Sequence, residues 1–317
     1  MQAGYMATPM SKPDLEARPA YRDRISPGGT PRGWAVLGDT QRTMLYQMLM
    51  GREWDNHPER CLLIESLAQR APDALVLVGD LVCWGELQSD WRYFDQVMAP
   101  VRTRDIPVLP VVGNHDYFVR RRQSLPRLVE RFARLGDETW YEERLGDLAL
   151  LVLDSNRGPI GLARWEAQRA WLESRARALD VDPAVRGVIF FGHHPPITNS
   201  LEIGPHGPSL GDLVPVFART KKAMLYVSGH CHAYERFKSQ GKTFVVSGGG
   251  GGPRQILRRG RWTRHADEYA GGRLRPFHYL WLTTDAAGLS VTVHGLERRS
   301  PPVRELERFS IAWPTPA

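Results

Sequence analysis

The sequence predicts an α/β fold: a four-layer α/β/β/α sandwich of two mixed sheets flanked by helices, in a single domain. Three observations carry that expectation. Short apolar runs with β-branched or aromatic content recur along the chain, and each ends at a glycine followed by a polar residue. Segments of helical period separate them, the strand–helix alternation of a sheet buried on both faces. Neither an internal repeat nor a convincing linker divides the 317 residues, a length within reach of one large domain.

The runs come in order. Trp34 to Leu37 leads into Gly38-Asp39, Ala74 to Val78 into Gly79-Asp80, and Pro107 to Val112 into Gly113-Asn114-His115-Asp116. Gly187 to Phe191 leads into Gly192-His193-His194-Pro195, and Met224 to Ser228 into Gly229-His230-Cys231-His232. Residues 57–70, 88–99, 120–135 and 162–179 place apolar groups at helical spacing. The stretches 139–154, 233–247 and 277–296 read as hairpin strands, which makes the sheets mixed. Residues 1–30 have the composition of a polar, disordered lead-in, residues 31–300 form the domain, and residues 301–317 are expected as a C-terminal tail. Five consecutive glycines, Gly248 to Gly252, open a basic stretch to residue 276 and read as a mobile loop rather than a phosphate cradle.

Composition narrows the partners. No apolar run approaches the length of a membrane span, and no apolar segment marks a secretory signal at the N-terminus, so a cytoplasmic location is expected. Three cysteines, Cys61, Cys83 and Cys231, argue against a disulfide framework and for a reducing compartment. Cys61 reads as core, and Cys231 as structural. The net charge of +7 suits an anionic partner, although a solvated basic surface explains it as well.

The chemistry lies in where the polar residues fall. Asp39, Asp80, Asn114, His193, His230 and His232 all sit just past the end of an expected strand. In an α/β sheet those ends face one crevice, where ligands bind. One Gly-Asp after a strand is commonly only a turn. Five strand ends converging with oxygen and nitrogen donors fit metals of the Mn, Fe and Zn group.

The ordered set, from Gly38-Asp39 to Gly229-His230-Cys231-His232, resembles the motifs of calcineurin-like metallophosphoesterases over residues 34–250. Gly192-His-His-Pro-Pro196, His206-Gly207-Pro208 and Gly229-His-Cys-His-Ala-Tyr-Glu-Arg236 are similar to purple, tartrate-resistant acid phosphatases. The resemblance implies a dinuclear-metal hydrolase of phosphate monoesters or diesters, in which a metal-bridging hydroxide attacks phosphorus. It implies two ions of Fe, Mn or Zn: Asp80 bridges them, Asp39 and His232 hold one, and Asn114, His193 and His230 hold the other. His115 is then a catalytic residue on the phosphoryl oxygens or leaving group, with Asp116 as its orienting partner. By the same analogy His206 hangs over the substrate, and Asn114 and His194 contact it, His194 without ligating.

Two departures concern the first metal. Where most of the family has Asp-x-His, this chain has Asp39-Thr40-Gln41. Where the acid phosphatases have a tyrosine three residues after the bridging aspartate, it has Cys83. Gln41 through its carbonyl and Cys83 as thiolate stay open as rival ligands.

The substrate is expected to be an anionic phosphate ester. A nucleotide-processing phosphodiesterase or nuclease draws on the basic, aromatic stretch near 258–279, though nucleic acid is not favoured. A lipid-phosphate hydrolase draws on Trp262 and Leu257 as bilayer contacts, and a non-catalytic metal-binding scaffold is the remote alternative. Trp91, Trp165, Trp171 and Trp262 are candidate anchors for an oligomer interface, while the oligomeric state stays open. Tyr234 and Arg236 are candidates to line the cleft.

Overall fold

The computed structural model describes residues 19–25, 32–44, 48, 55–118 and 120–314. Two six-stranded sheets stack face to face with helices outside them, the expected α/β sandwich. The first sheet runs β12-β11-β10-β1-β2-β3, built from β1 (Trp34–Leu37), β2 (Ala74–Val78), β3 (Val108–Val111), β10 (Phe277–Thr284), β11 (Gly288–Glu297) and β12 (Ser300–Ala312). The second runs β4-β5-β6-β7-β9-β8, built from β4 (Tyr141–Leu145), β5 (Leu148–Val152), β6 (Gly187–Phe191), β7 (Ala223–Ser228), β8 (Tyr234–Ser239) and β9 (Lys242–Ser247).

Alternation along each central strand divides the core. Trp34, Val36, Val76 and Val78 meet Leu150, Val152, Ile189 and Val227 between the sheets. Ala35, Leu37, Leu75 and Leu77 face outward onto Leu63, Ile64 and Leu67 of the helix His57–Gln69. Both faces of these strands are buried, so the sequence needs apolar residues at every position, and period-two alternation disappears.

Topology places the site. β1, β2 and β3 are mutually parallel, as are β5, β6, β7 and β9. Their C-terminal ends carry the polar motifs to one edge of the sandwich. The helices Gln88–Val97, Arg121–Val129 and Leu162–Val181 fall within the expected segments, apart from the last two residues of the third.

Three expectations change. The stretch from residue 301, expected as a tail, is β12, paired antiparallel to β11 along its length. It is an edge strand whose Arg304, Glu305 and Arg308 face outward, as charged edges do. Within the N-terminal extension, Tyr21 is buried against Phe94 and Phe132; residues 1–18 and 26–31 lie outside the described residues. Trp91 and Trp165 are fully buried core side chains rather than interface anchors, whereas Trp262 is 65% exposed.

Candidate functional site

Three residues at the strand ends take left-handed backbone conformations: Asp39 (φ 59°), Asp80 (φ 52°) and His230 (φ 65°). Such φ values are uncommon for residues with a side chain and collect at functional sites. Each follows a glycine that lets a neighbouring chain come close. A Cβ at Gly79 would run into the His193 ring, and one at Gly113 into the backbone and carboxylate of Asp80.

The donors gather in two groups. Asp39, Asp80 and His232 bring ligand atoms within 4.8 Å of one another, as do His193, His194 and His230. Asp80 stands between them. Its Oδ1 lies 3.3 Å from His193 Nε2, while its Oδ2 lies 3.2 Å from the amide nitrogen of Gln41. Asp39 Oδ1 is 3.3 Å from His232 Nε2, and both Asp39 oxygens accept from the His230 main-chain N–H at 3.0 Å. Asn114 Oδ1 is 3.1 Å from His193 Nε2. Asn114 thus lies beside the second group, and His194, expected outside that group, is one of its three histidines.

The histidine rings are fixed from behind. His193 Nδ1 donates to the Val78 carbonyl at 2.9 Å, and His232 Nδ1 to the Pro253 carbonyl at 2.7 Å. Each ring therefore turns Nε2 into the site, the arrangement that orients a metal-binding imidazole. Both carboxylates are almost wholly removed from solvent, and their ion-pair partners among the described residues are histidines. Burial raises Asp39 above the usual carboxylate range. Burial also pushes Asp80 up, but His193 and His115 outweigh it and hold the group well below that range. His193 shows the reverse balance: burial pulls it down, Asp80 prevails, and it rises to about 9. His230 falls to about 3 through burial and the neighbouring His193.

Two buried acids without lysine or arginine, facing imidazole nitrogens, form a set that fits cations. Gln41 adds to it. Its Nε2 lies 3.1 Å from His232 Nε2, and its buried Oε1 has no partner. Turning the amide by 180° points the carbonyl oxygen at the same centre.

Cys83 is different. Its thiol joins neither donor group among the described residues, and burial, then Asp90 and Asp80, push it up to about 12. What it offers the site is its carbonyl, which accepts from His115 Nδ1 at 2.8 Å. Asp116 is also corrected: it does not orient His115. Fully buried, it accepts from the main-chain N–H groups of Leu81 (2.8 Å), Val82 (3.3 Å) and Gly113 (2.8 Å) and ties the second and third motif loops together.

His194 and His206 face the open side. An open cavity of about 560 Å³ is lined by Asn114, Asn156, Arg157, His194 and His206 among others. His194 Nδ1 is 2.8 Å from the Ser155 hydroxyl, and His206 Nδ1 accepts from the Ser209 main-chain N–H at 3.2 Å. Tyr234 and Arg236, candidates to line the cleft, hydrogen-bond Glu307 of β12 as members of the strand β8.

Several supports escaped the sequence reading. Gly248 to Gly252 are buried, not a mobile loop: Gly250 N–H donates to the Gly38 carbonyl at 2.8 Å and Gly252 N–H to that of Asp39 at 2.9 Å. Arg60 is fully buried, and its Nη2 donates to the carbonyls of Gln41 and Gly251, both at 2.9 Å. Asp154-Ser155-Asn156 follow β5 as the other motifs follow their strands, the signal by which they could have been found.

A sequence model of the calcineurin-like phosphoesterases matches residues 35–234, which run from β1 through β7 and take in the motif residues from Asp39 to His232. The chain belongs to the calcineurin-like phosphoesterase family. Membership implies a metal-dependent phosphoric ester hydrolase with a dinuclear metal centre.

Solved structures share the fold. The purple acid phosphatase PPD1 of yellow lupin (Lupinus luteus) is 17% identical with a TM-score of 0.63, over 89% of this chain and 54% of that one. The phosphoesterase thus spans about half the length of the lupin enzyme. GAP50, the anchor in the inner membrane complex of Plasmodium, is 14% identical with a TM-score of 0.67, covering 89% and 88%. A dimetal phosphatase from Danio rerio is 15% identical with a TM-score of 0.59, covering 89% and 99%. Among curated proteins, none matches significantly. No helix among the described residues is long and apolar enough to cross a membrane.

Proposed function

We propose that the protein hydrolyses phosphate monoesters or diesters with two metal ions that share the Asp80 carboxylate. One observation carries the reading: the two oxygens of Asp80 face different donor groups, Oδ1 the histidines and Oδ2 the Asp39/Gln41/His232 side. Asp39, His232 and Gln41 then hold one ion, and Asn114, His193 and His230 the other. The oxygen and imidazole donors suit Fe, Mn or Zn. Two bound ions supply Lewis acidity on the phosphoryl oxygens and an ionised water as nucleophile.

The remaining residues bind the ester and move its protons. His115 donates a hydrogen bond from Nδ1 to the Cys83 carbonyl. Its Nε2 therefore donates only as imidazolium, the form in which it neutralises a phosphoryl oxygen or protonates a leaving alkoxide. His206 has the complementary arrangement. Its Nδ1 accepts the Ser209 N–H, so the neutral ring carries its proton on Nε2 and donates without being charged. Asn114 and His194 line the same cavity and contact the phosphoryl group, with space beside Arg157 for the alcohol portion.

Metal analysis of the protein at saturating metal, with hydrolysis of p-nitrophenyl phosphate and its bis-ester, tests this. Two ions per chain and turnover of at least one ester are expected, with Asp80→Asn abolishing turnover in a folded protein. One ion or none, or unimpaired Asp80→Asn, rejects the two-metal reading.

A further inference from the structure

The stretches 197–203 and 255–274 meet through short backbone pairings beside the cleft. Ser200 bridges Leu257, Ile256 bridges Leu274, and the Leu201 N–H donates to the Ile256 carbonyl at 2.9 Å. These contacts set Leu201, Ile256 and Leu274 side by side across three segments. Neighbouring positions in extended chain point to opposite faces. Ser200 and Leu257 accordingly turn inward and are buried, while Leu201, Ile256 and Leu274 turn outward and are 44%, 45% and 39% exposed. The bilayer contact expected of Leu257 is thus displaced by one residue.

The loop between the second and third segments adds charge and an aromatic ring. Residues 258–273 hold five arginines against two acids, Asp267 and Glu268. Both acids are engaged away from the row: Asp267 pairs with Arg275 and accepts from the Arg236 N–H, and Glu268 lies 3.9 Å from Arg236. Arg258, Arg259, Arg261 and Arg273 have no acidic partner among the described residues. Trp262 projects from the turn Gly260–Trp262, with the Arg261 guanidinium 5.0 Å from its ring centre. The loop is pinned in place. Arg259 Nη2 donates to Gly271 O at 3.2 Å, Arg273 Nε to Leu257 O at 3.1 Å, and Arg264 Nη1 to Ser200 O at 2.8 Å.

We propose that this face docks on an anionic lipid surface. The aliphatic row and Trp262 enter the headgroup layer, and the unpaired arginines meet the lipid phosphates. An apolar row flanked by arginine and tryptophan is the composition that binds membrane interfaces by combined burial and charge. Single-stranded nucleic acid fits it less well, because base stacking calls for successive aromatic faces. Here one tryptophan stands among three aliphatic chains. Residues 197–203 run on to His206, so docking would hold the cleft beside the lipid surface.

Co-sedimentation of the full chain with vesicles tests docking without reference to hydrolysis. The chain should pellet with equimolar phosphatidylserine and phosphatidylcholine and remain in solution with phosphatidylcholine alone. Arg261→Glu should weaken binding at least about fivefold, the effect of one arginine removed. Ile256→Ser with Trp262→Ser should also release the protein. These three side chains are exposed, so both variants should keep their circular dichroism and their turnover of p-nitrophenyl phosphate. Failure to pellet with the anionic vesicles overturns the proposal, as does wild-type binding by either variant. Binding of an oligothymidine without binding of vesicles overturns it in favour of nucleic acid.

Discussion

The rings of His194 and His206 stack with centroids 4.4 Å apart and planes inclined by 23°. His206 comes from a loop whose backbone is fastened to the preceding turn, its N–H donating to the Pro195 carbonyl at 2.8 Å. The stack and that hydrogen bond give the loop histidine a defined place over the cavity. Burial, then His193, pull His206 down to about 4, so it stays neutral through the mildly acidic range and donates from Nε2. His206→Ala should lower kcat by about 100-fold, the lower end of what one positioned proton donor contributes. Turnover of p-nitrophenyl phosphate measures it; an unchanged kcat removes His206 from the reaction.

Gln41 offers a separate readout. Its side chain contacts Asp80 Oδ2 at 3.2 Å and His232 Nε2 at 3.1 Å, while its carbonyl is held by Arg60 at 2.9 Å. Gln41→Ala should weaken binding of one metal ion about 10- to 100-fold and leave the other tight. Gln41→His should restore or exceed the original affinity, since imidazole is the better donor to these metals. Competition with a chelator reports both. Equal weakening of both ions would place Gln41 outside the first metal site.

Much of this centre is legible in sequence because the central strands are buried on both faces. Such strands read as unbroken apolar runs, and the glycine-polar step at Gly38-Asp39 or Gly79-Asp80 marks where each one stops. Orientation is harder to read. Cys83 and Asp116 sit at suitable positions in the chain, yet the thiol of one joins neither donor group and the other turns its carboxylate into the loop backbone. Gly248 to Gly252 read as a loop because closeness to Gly38 and Asp39 is a tertiary fact. β12 is illegible for the opposite reason: an edge strand with charged outward positions has no apolar run to announce it.

Asp116 should behave as a structural clamp. Asp116→Ala would leave the N–H groups of Leu81, Val82 and Gly113 without their acceptor in a buried place. At about 1–3 kcal/mol for each orphaned group, a loss of about 3 kcal/mol or more is expected. Guanidinium unfolding of the metal-free protein isolates that effect. Unchanged stability combined with lost turnover would return Asp116 to the chemistry.

Glu235 supplies a dependence of stability on pH. It is fully buried and accepts from the Thr198 hydroxyl at 2.6 Å and the Asn199 N–H at 2.8 Å, joining β8 to the loop that carries Leu201. Those donors favour the carboxylate, but burial prevails and pushes the group up to about 7 from the usual 4.5. Between those values the folded state keeps a proton that the unfolded chain releases, so unfolding free energy falls as pH rises. The contribution is fully present below about pH 4.5 and is lost as pH climbs through about 7, a span worth on the order of a few kcal/mol. Glu235→Gln stays neutral throughout and should lack this slope. Unfolding midpoints of the two proteins at pH 5 and pH 8 decide it: the wild type should lose more stability than the variant between them. Parallel behaviour would mean that Glu235 titrates alike in the folded and unfolded chains.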